Sequence, residues 1–137
     1  MPYAIKTAID ATQAESFTFA GQKTMYGGKH VTAGDTMFVF ASENEGGQGL
    51  FARGIVTRAD AVAKKRGLDR QTPRISVTVE ITARARSPLG RHELKAFKAW
   101  SDGRAETELN FKFYRQATNK IVGISETTAM FLDGFFD

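Results

Sequence analysis

From residue 74 to residue 86 the chain alternates without a break. Ile75, Val77, Val79, Ile81, Ala83 and Ala85 fall on one parity, and Ser76, Thr78, Glu80, Thr82, Arg84 and Arg86 on the other. Such alternation predicts a strand with one buried face. At about 3.3 Å per residue it would run roughly 40 Å, too long to stay flat in a small domain, so it is expected to coil around a barrel or carry a bulge. Residues 36–42 are apolar on both parities, the pattern of a strand covered on both sides. Residues 50–59 read as its antiparallel partner. Between the two lies the segment 43–49, with two acids, an Asn, a Gln and three glycines. A plain hairpin needs only a two-residue turn. A longer polar loop on a rigid hairpin is where binding sites are often built.

The remaining pattern is less regular. Residues 3–9 predict a first strand, and 10–34 a mixture of short helical turns and loop. Residues 60–73 read as a polar, basic connection, and the overlapping stretch 59–66 has the composition for two helical turns. Residues 91–100 suggest a short helix, and 101–103 a turn. Residues 108–116 alternate again, with Leu109, Phe111 and Phe113 opposite Asn110, Lys112 and Tyr114, and are assigned to a strand. A turn at 117–119 leads to a short strand at 120–124. Ser125 is a favourable N-cap for a final helix, with Glu126 in the first turn where the dipole favours an acid, and Ala129, Leu132 and Phe136 on one face. Six strand-like segments joined mostly by short turns predict an α+β fold. The sheet is mixed, mostly antiparallel, and curled into a small barrel with short flanking helices and a C-terminal helix. At 137 residues it is expected to be a single domain, residues 1–137.

Charge sharpens the picture. The formal net charge is only +4, but residues 52–104 carry thirteen Lys/Arg against five acids, a local +8 that leaves −4 elsewhere. That asymmetry predicts an electropositive side facing a polyanion. There is no Cys, hence no disulfide framework or thiolate chemistry. No apolar run reaches the roughly 20 residues of a membrane helix, and the first residues lack the layout of a signal peptide. A cytoplasmic protein with no membrane partner is expected.

Several chemistries find little support. The two histidines, His30 and His92, stand apart and no cysteine joins them, so no metal and no cofactor are expected. The glycines of residues 45–49 precede a strand and lack the lysine of a phosphate loop. Ser42 with a distant His makes a poor nucleophilic pair. Glu43 and Glu45 would share a face if the strand reached them, but are assigned to a solvated loop tip. Nucleic-acid chemistry is better represented. Tyr26, Trp100 and Tyr114 are amphipathic aromatics of the kind that stack on unpaired bases. Arg115, Gln116, Asn119 and Lys120 follow Tyr114 and offer groups that read a base edge or hold a phosphate.

Residues 34–42, Gly-Asp-Thr-Met-Phe-Val-Phe-Ala-Ser, followed by residues 49–56, Gly-Leu-Phe-Ala-Arg-Gly-Ile-Val, resemble the Gly-Asp strand, loop and return strand of the PUA-like superfamily, nearest its EVE-type branch. Tyr3-Ala-Ile fits the opening strand of that family. The resemblance spans about two-thirds of the chain. It implies a five- or six-stranded pseudo-barrel that binds RNA or DNA, with a flipped and often modified base in a pocket of aromatic and small polar residues. By position it makes Ser42 the small residue that ends the Gly-Asp strand, and it brings Asn44 on the loop. Trp100 lies away from the place of the family's early tryptophan. A second branch, the ASCH type, includes small amidohydrolases acting on acetylated cytidine through a Lys, a Thr and a Glu. Here Lys23 and Thr24 are adjacent, where that pattern separates them.

The leading expectation is therefore a nucleic-acid-binding module rather than an enzyme, with no catalytic residue assigned. Tyr26, Ser42, Asn44, Trp100 and Tyr114 would form the base pocket, and Arg53, Arg84, Arg86 and Arg115 would hold phosphates. The alternatives are an ASCH-like amidohydrolase acting on a modified nucleoside, and a protein-interaction domain with its basic residues scattered round the barrel. Oligomeric state is left open.

Overall fold

The structure, a computed structural model, describes residues 1–64, 66–67, 71–116 and 118–137. Its strands are β1 (Tyr3–Thr7), β2 (Ser16–Met25), β3 (Thr36–Ala41), β4 (Gly49–Ala61), β5 (Arg74–Arg84) and β6 (Lys120–Gly123). They close into a barrel in the order β1-β3-β4-β5-β2-β6. β1 runs parallel to β3 and β2 parallel to β6, and the other four pairings are antiparallel. Closure leaves no strand edge open to another chain.

Two apolar layers share the central strands. Tyr3, Ile5, Met37, Val39 and Ile121 point into the barrel with Phe17, Phe19, Val77 and Val79. Ala4, Phe38, Phe40 and Val122 point the other way, under a helical layer that supplies Leu94, Leu109, Phe113 and Leu132. That is why residues 36–42 are apolar on both parities. The long strands bend as expected: β4 shifts register against β3 after Val39, and against β5 between Arg53 and Gly54 and again between Val56 and Arg58, so the sheet coils instead of lying flat. Gly49 opens β4 at φ 86°, where a Cβ would stand 2.3 Å from the Leu89 carbonyl oxygen, so both backbone angle and space demand glycine there.

The helical layer comprises α1 (Arg91–Leu94), α2 (Ala105–Leu109) running on as a π-helical turn over Asn110–Tyr114, and α3 (Glu126–Asp133). No helix among the described residues is long and apolar enough to cross a membrane. The Ser125 hydroxyl caps α3 by accepting from the Thr128 N–H at 3.1 Å. Ser125 and Thr128 also donate to Glu108. Burial works against the Glu108 carboxylate, but bonds from Lys112, Thr128 and Ser125 outweigh it and hold its pKa below the ordinary value.

Two expectations are corrected. Residues 108–116, expected to be a strand, are helical through Tyr114, with a bend at 115–116. Ala105, Leu109 and Phe113 recur every fourth residue and are all buried, while Phe111 is only half-buried; the helical repeat had prevailed over a local alternation. Residues 16–25, expected to be turns and loop, form β2. Its alternation of buried Phe17 and Phe19 with exposed neighbours is cut short by a register shift between Phe19 and Gln22, with Gly21 at φ 58°. Of the two helical turns expected at 59–66, β4 occupies the first residues and Lys65 lies outside the described residues, as does Ala117 of the expected 117–119 turn.

Candidate nucleic-acid interface

One end of the barrel gathers bases that the sheet register sets against each other. Lys23 of β2 is the direct partner of Arg74 of β5, and Lys6 of β1 the partner of Lys120 of β6. Like charges opposite one another on adjacent strands destabilise a sheet. Here two such pairs lie where β1 and β3 end and β6 begins. A cleft of about 360 Å³ opens at this end, within the size range of small-ligand sites. Lys23, Arg74 and Gln22 line one side. Asn44, Glu45, Thr118 and Asn119 line the other, and Thr7 ends β1 between them.

The loop after β3 supplies the polar wall and is fixed from below. The Tyr114 hydroxyl donates to Glu43, 3.0 Å from each carboxylate oxygen, and the Arg91 N–H donates to Glu43 at 2.7 Å. Arg91 also donates to the Asn44 side-chain oxygen at 2.8 Å, leaving the Asn44 amide nitrogen as a donor. Asn119 donates to Glu45 through its amide nitrogen and keeps its oxygen as an acceptor. Glu43 is thus a structural tie instead of a solvated loop tip. Ser42 is buried, and its hydroxyl is the one buried side-chain polar atom without a hydrogen-bond partner among the described residues.

Lys6 and Lys120 have no exposed surface to speak of. Lys6 donates to the Phe113 carbonyl at 2.8 Å and lies 4.9 Å over the Tyr114 ring. Lys120 donates to the carbonyls of Gln116 at 3.0 Å and Thr118 at 3.1 Å, closing the turn that carries the cleft's wall. Burial lowers the pKa of both. For Lys120 the charges of Lys6 and Lys23 push the same way, to about 8. Burial, with the Glu43 charge beside it, raises that of Tyr114. Between pH 8 and 10.5 the unfolded chain keeps a Lys120 proton that the folded one has released, so stability rises with pH across that window. Lys120→Met is expected to remove that rise. The check is the denaturant midpoint of both proteins from pH 7 to 10, their difference isolating Lys120 from Lys6 and Tyr114.

The residues expected to form one base pocket occupy different places. Asn44 lines the cleft, and Ser42 and Tyr114 lie beneath its wall. Tyr26 and Trp100 do not line it: both are exposed and pack on Phe111, with ring centroids 5.9 and 5.5 Å from it. An aromatic cage is therefore not assembled around the cleft. The arginines expected to hold phosphates are also dispersed. Arg53 pairs with Asp133 at 2.9 Å and covers the Phe136 ring. Arg84 donates to the carbonyls of Thr12 and Ala14. Arg86 pairs with Asp137 and donates to the Gly134 carbonyl. Arg115 lies over Phe111 and Trp100. Arg53, Arg74 and Arg84 line three separate depressions, so the basic tract does not form one face; its Lys65 and Arg70 lie outside the described residues. Sequence reasoning missed the pairing of Lys23 with Arg74 because it missed β2. A visible signal was Lys6, the one charge in the strand expected at residues 3–9.

Three solved structures are similar to this chain in fold. The DUF55 domain of human thymocyte nuclear protein 1 superposes with a TM-score of 0.62, covering 96% of this chain and 95% of its own at 11% identity. A hypothetical protein from Leishmania major gives 0.59, covering 94% and 89% at 14% identity. Human THYN1 protein in complex with 5-methylcytosine containing DNA gives 0.52, covering 94% and 93% at 14% identity. The fold is the PUA-like barrel that these domains share. No protein-family model and no curated protein matches the sequence.

Proposed function

We propose that this chain is a nucleic-acid-binding module whose cleft receives an unpaired base, plain or modified, with an adjoining phosphate of DNA or RNA. The observation that carries this reading is the Lys23–Arg74 pair at the cleft's lip. An anion between them converts a repulsion into two charge-assisted contacts. The Asn44 amide nitrogen and the Asn119 oxygen present a donor and an acceptor to a base edge, as base recognition requires. The DNA held by the human THYN1 protein supports a nucleic-acid partner for the shared fold. Anisotropy titrations of labelled single strands carrying cytosine or 5-methylcytosine test the reading. The expected outcome is a log affinity that falls linearly with log salt, at about 0.7 per phosphate contacted. Absence of binding to every strand at low salt contradicts it.

A second reading has one observation of its own. Lys23, Glu45 and the hydroxyl of Thr7 line the same cleft, the side-chain types an ASCH-like amidohydrolase uses, whereas the Thr24 hydroxyl is committed to the Pro73 carbonyl at 2.7 Å. Acetate released from an acetylated nucleoside above the blank would favour it. The scatter of the basic tract is what a protein-interaction domain would show, but the two like-charge pairs at one barrel end favour an anionic ligand.

A further inference from the structure

The cleft has no aromatic ring in its lining, so a base held there is held by its edges. Rings at the surface are found instead just past the end of β2, on the π-helical turn and on the turn before α2. Tyr26, Phe111 and Trp100 form a continuous row, and Tyr26 and Trp100 each keep 43% of their surface exposed. The row begins three residues beyond Lys23 on the same stretch of chain. It lies beside the far end of β6, where the Gly123 N–H donates to the Tyr26 carbonyl at 3.1 Å. Asn119 of the cleft directly precedes β6 and is four residues from Gly123, at most roughly 13 Å at about 3.3 Å per residue.

Two further features set this row apart from an ordinary apolar patch. Tyr26 is the one non-glycine with positive φ among the described residues, at 53°, followed by Gly27 at 84°. A ring held out on strained backbone is a feature that clusters at binding sites. Cations also border the row. Arg115 lies 4.8 Å over Phe111 and 6.0 Å from Trp100, is exposed, and has no carboxylate partner among the described residues. Lys112 lies 5.3 Å over Tyr26, though its charge is met by Glu108 at 2.8 Å. Arg104 lines the groove beside Trp100.

We propose that the Tyr26–Phe111–Trp100 row is a stacking platform for unpaired nucleotides flanking the one in the cleft, with Arg115 taking a phosphate between them. The proposal rests on the nucleic-acid reading of the cleft. Rings bordered by an unpaired guanidinium fit a strand with aromatic bases and anionic linkers, since every base has a π-face and every linkage a charge.

Trp100 is the only tryptophan, so its emission reports the platform directly. The probes are thymidine strands of two and eight nucleotides, with wild type, Tyr26→Asn and Trp100→Leu. Asn tolerates left-handed backbone, so the first variant removes the ring and keeps the turn. The longer strand is expected to quench Trp100 in wild type. Each variant is expected to bind the longer strand roughly tenfold more weakly and the shorter one unchanged. Tight binding of the longer strand with no change in emission and no loss in either variant overturns the platform and leaves the cleft reading intact. Binding of neither strand overturns both. Concentration-dependent self-association that the variants abolish, with strand affinity unchanged, marks the row as a face between copies and also overturns the proposal.

Discussion

Replacing Lys23 and Arg74 together by alanine is expected to weaken binding of a single strand roughly a hundredfold at low salt. A hydrogen bond to a charged group contributes about 1.5–3 kcal/mol, so each lost phosphate contact is worth tenfold or more. The salt dependence should become shallower by about 0.7 for each contact removed. Fold stability is expected to move by no more than about 1 kcal/mol. The variant loses the Arg74 bond to the Gly21 carbonyl at 2.7 Å, but it also loses the repulsion between directly opposed charges. Arg58→Ala is the natural control. Arg58 also belongs to the basic tract, yet it pairs with Asp60 at 2.6 Å on an exposed part of β4 and does not line the cleft. Its removal is expected to leave affinity within about twofold, because an exposed pair contributes little. Equal losses in the two proteins would mean that general positive charge, and not the cleft, does the binding.

Phe113→Ala is expected to cost about 3–5 kcal/mol, the range for emptying a large buried aromatic site. Phe113 has no exposed surface, and its ring packs 5.0 Å from that of Phe40. Its carbonyl also receives the buried Lys6 ammonium, so a shift of this turn disturbs that contact as well. Phe111→Ala is expected to cost only about 1 kcal/mol, because that ring is half-buried at the surface. The contrast bears on the local structure itself. If residues 108–116 formed a strand, Phe111 and Phe113 would share one face and cost alike. Chemical denaturation of the two variants separates these cases.

The sequence made the barrel legible wherever alternation or double-sided burial was undisturbed. Residues 74–86 show a one-faced strand, and residues 36–42 show a strand roofed by helices, because burial acts on each parity separately. Where a bulge intervenes, the signal fails. Phe17 and Phe19 are in phase, but the register shift that follows Phe19 breaks the pattern before it gathers enough length to stand out. Residues 108–114 failed for the opposite reason. Alternation over a few residues mimics a strand unless the window reaches back to Ala105, which places Leu109 and Phe113 on a helical repeat. The site was harder to read, since it is made by register. Nothing local in Lys23 or Arg74 says that they face each other. Asn44 was visible because it stands on a loop whose composition exceeds what a turn needs. Trp100 and Tyr26 were visible as amphipathic aromatics, but their type alone cannot say that they pack on Phe111 instead of lining the cleft.

The central claim is that the barrel end bearing Lys23, Arg74, Asn44 and Asn119 is the nucleic-acid site. Amide ¹H–¹⁵N spectra recorded during titration with a single strand containing 5-methylcytosine test it most directly. The predicted result is that shifts concentrate on Gln22, Lys23, Asn44, Thr118 and Asn119, which line one cleft although they lie far apart in the chain. Shifts confined to the depression around Arg53 and Asp133, or no shifts at low salt, would contradict it.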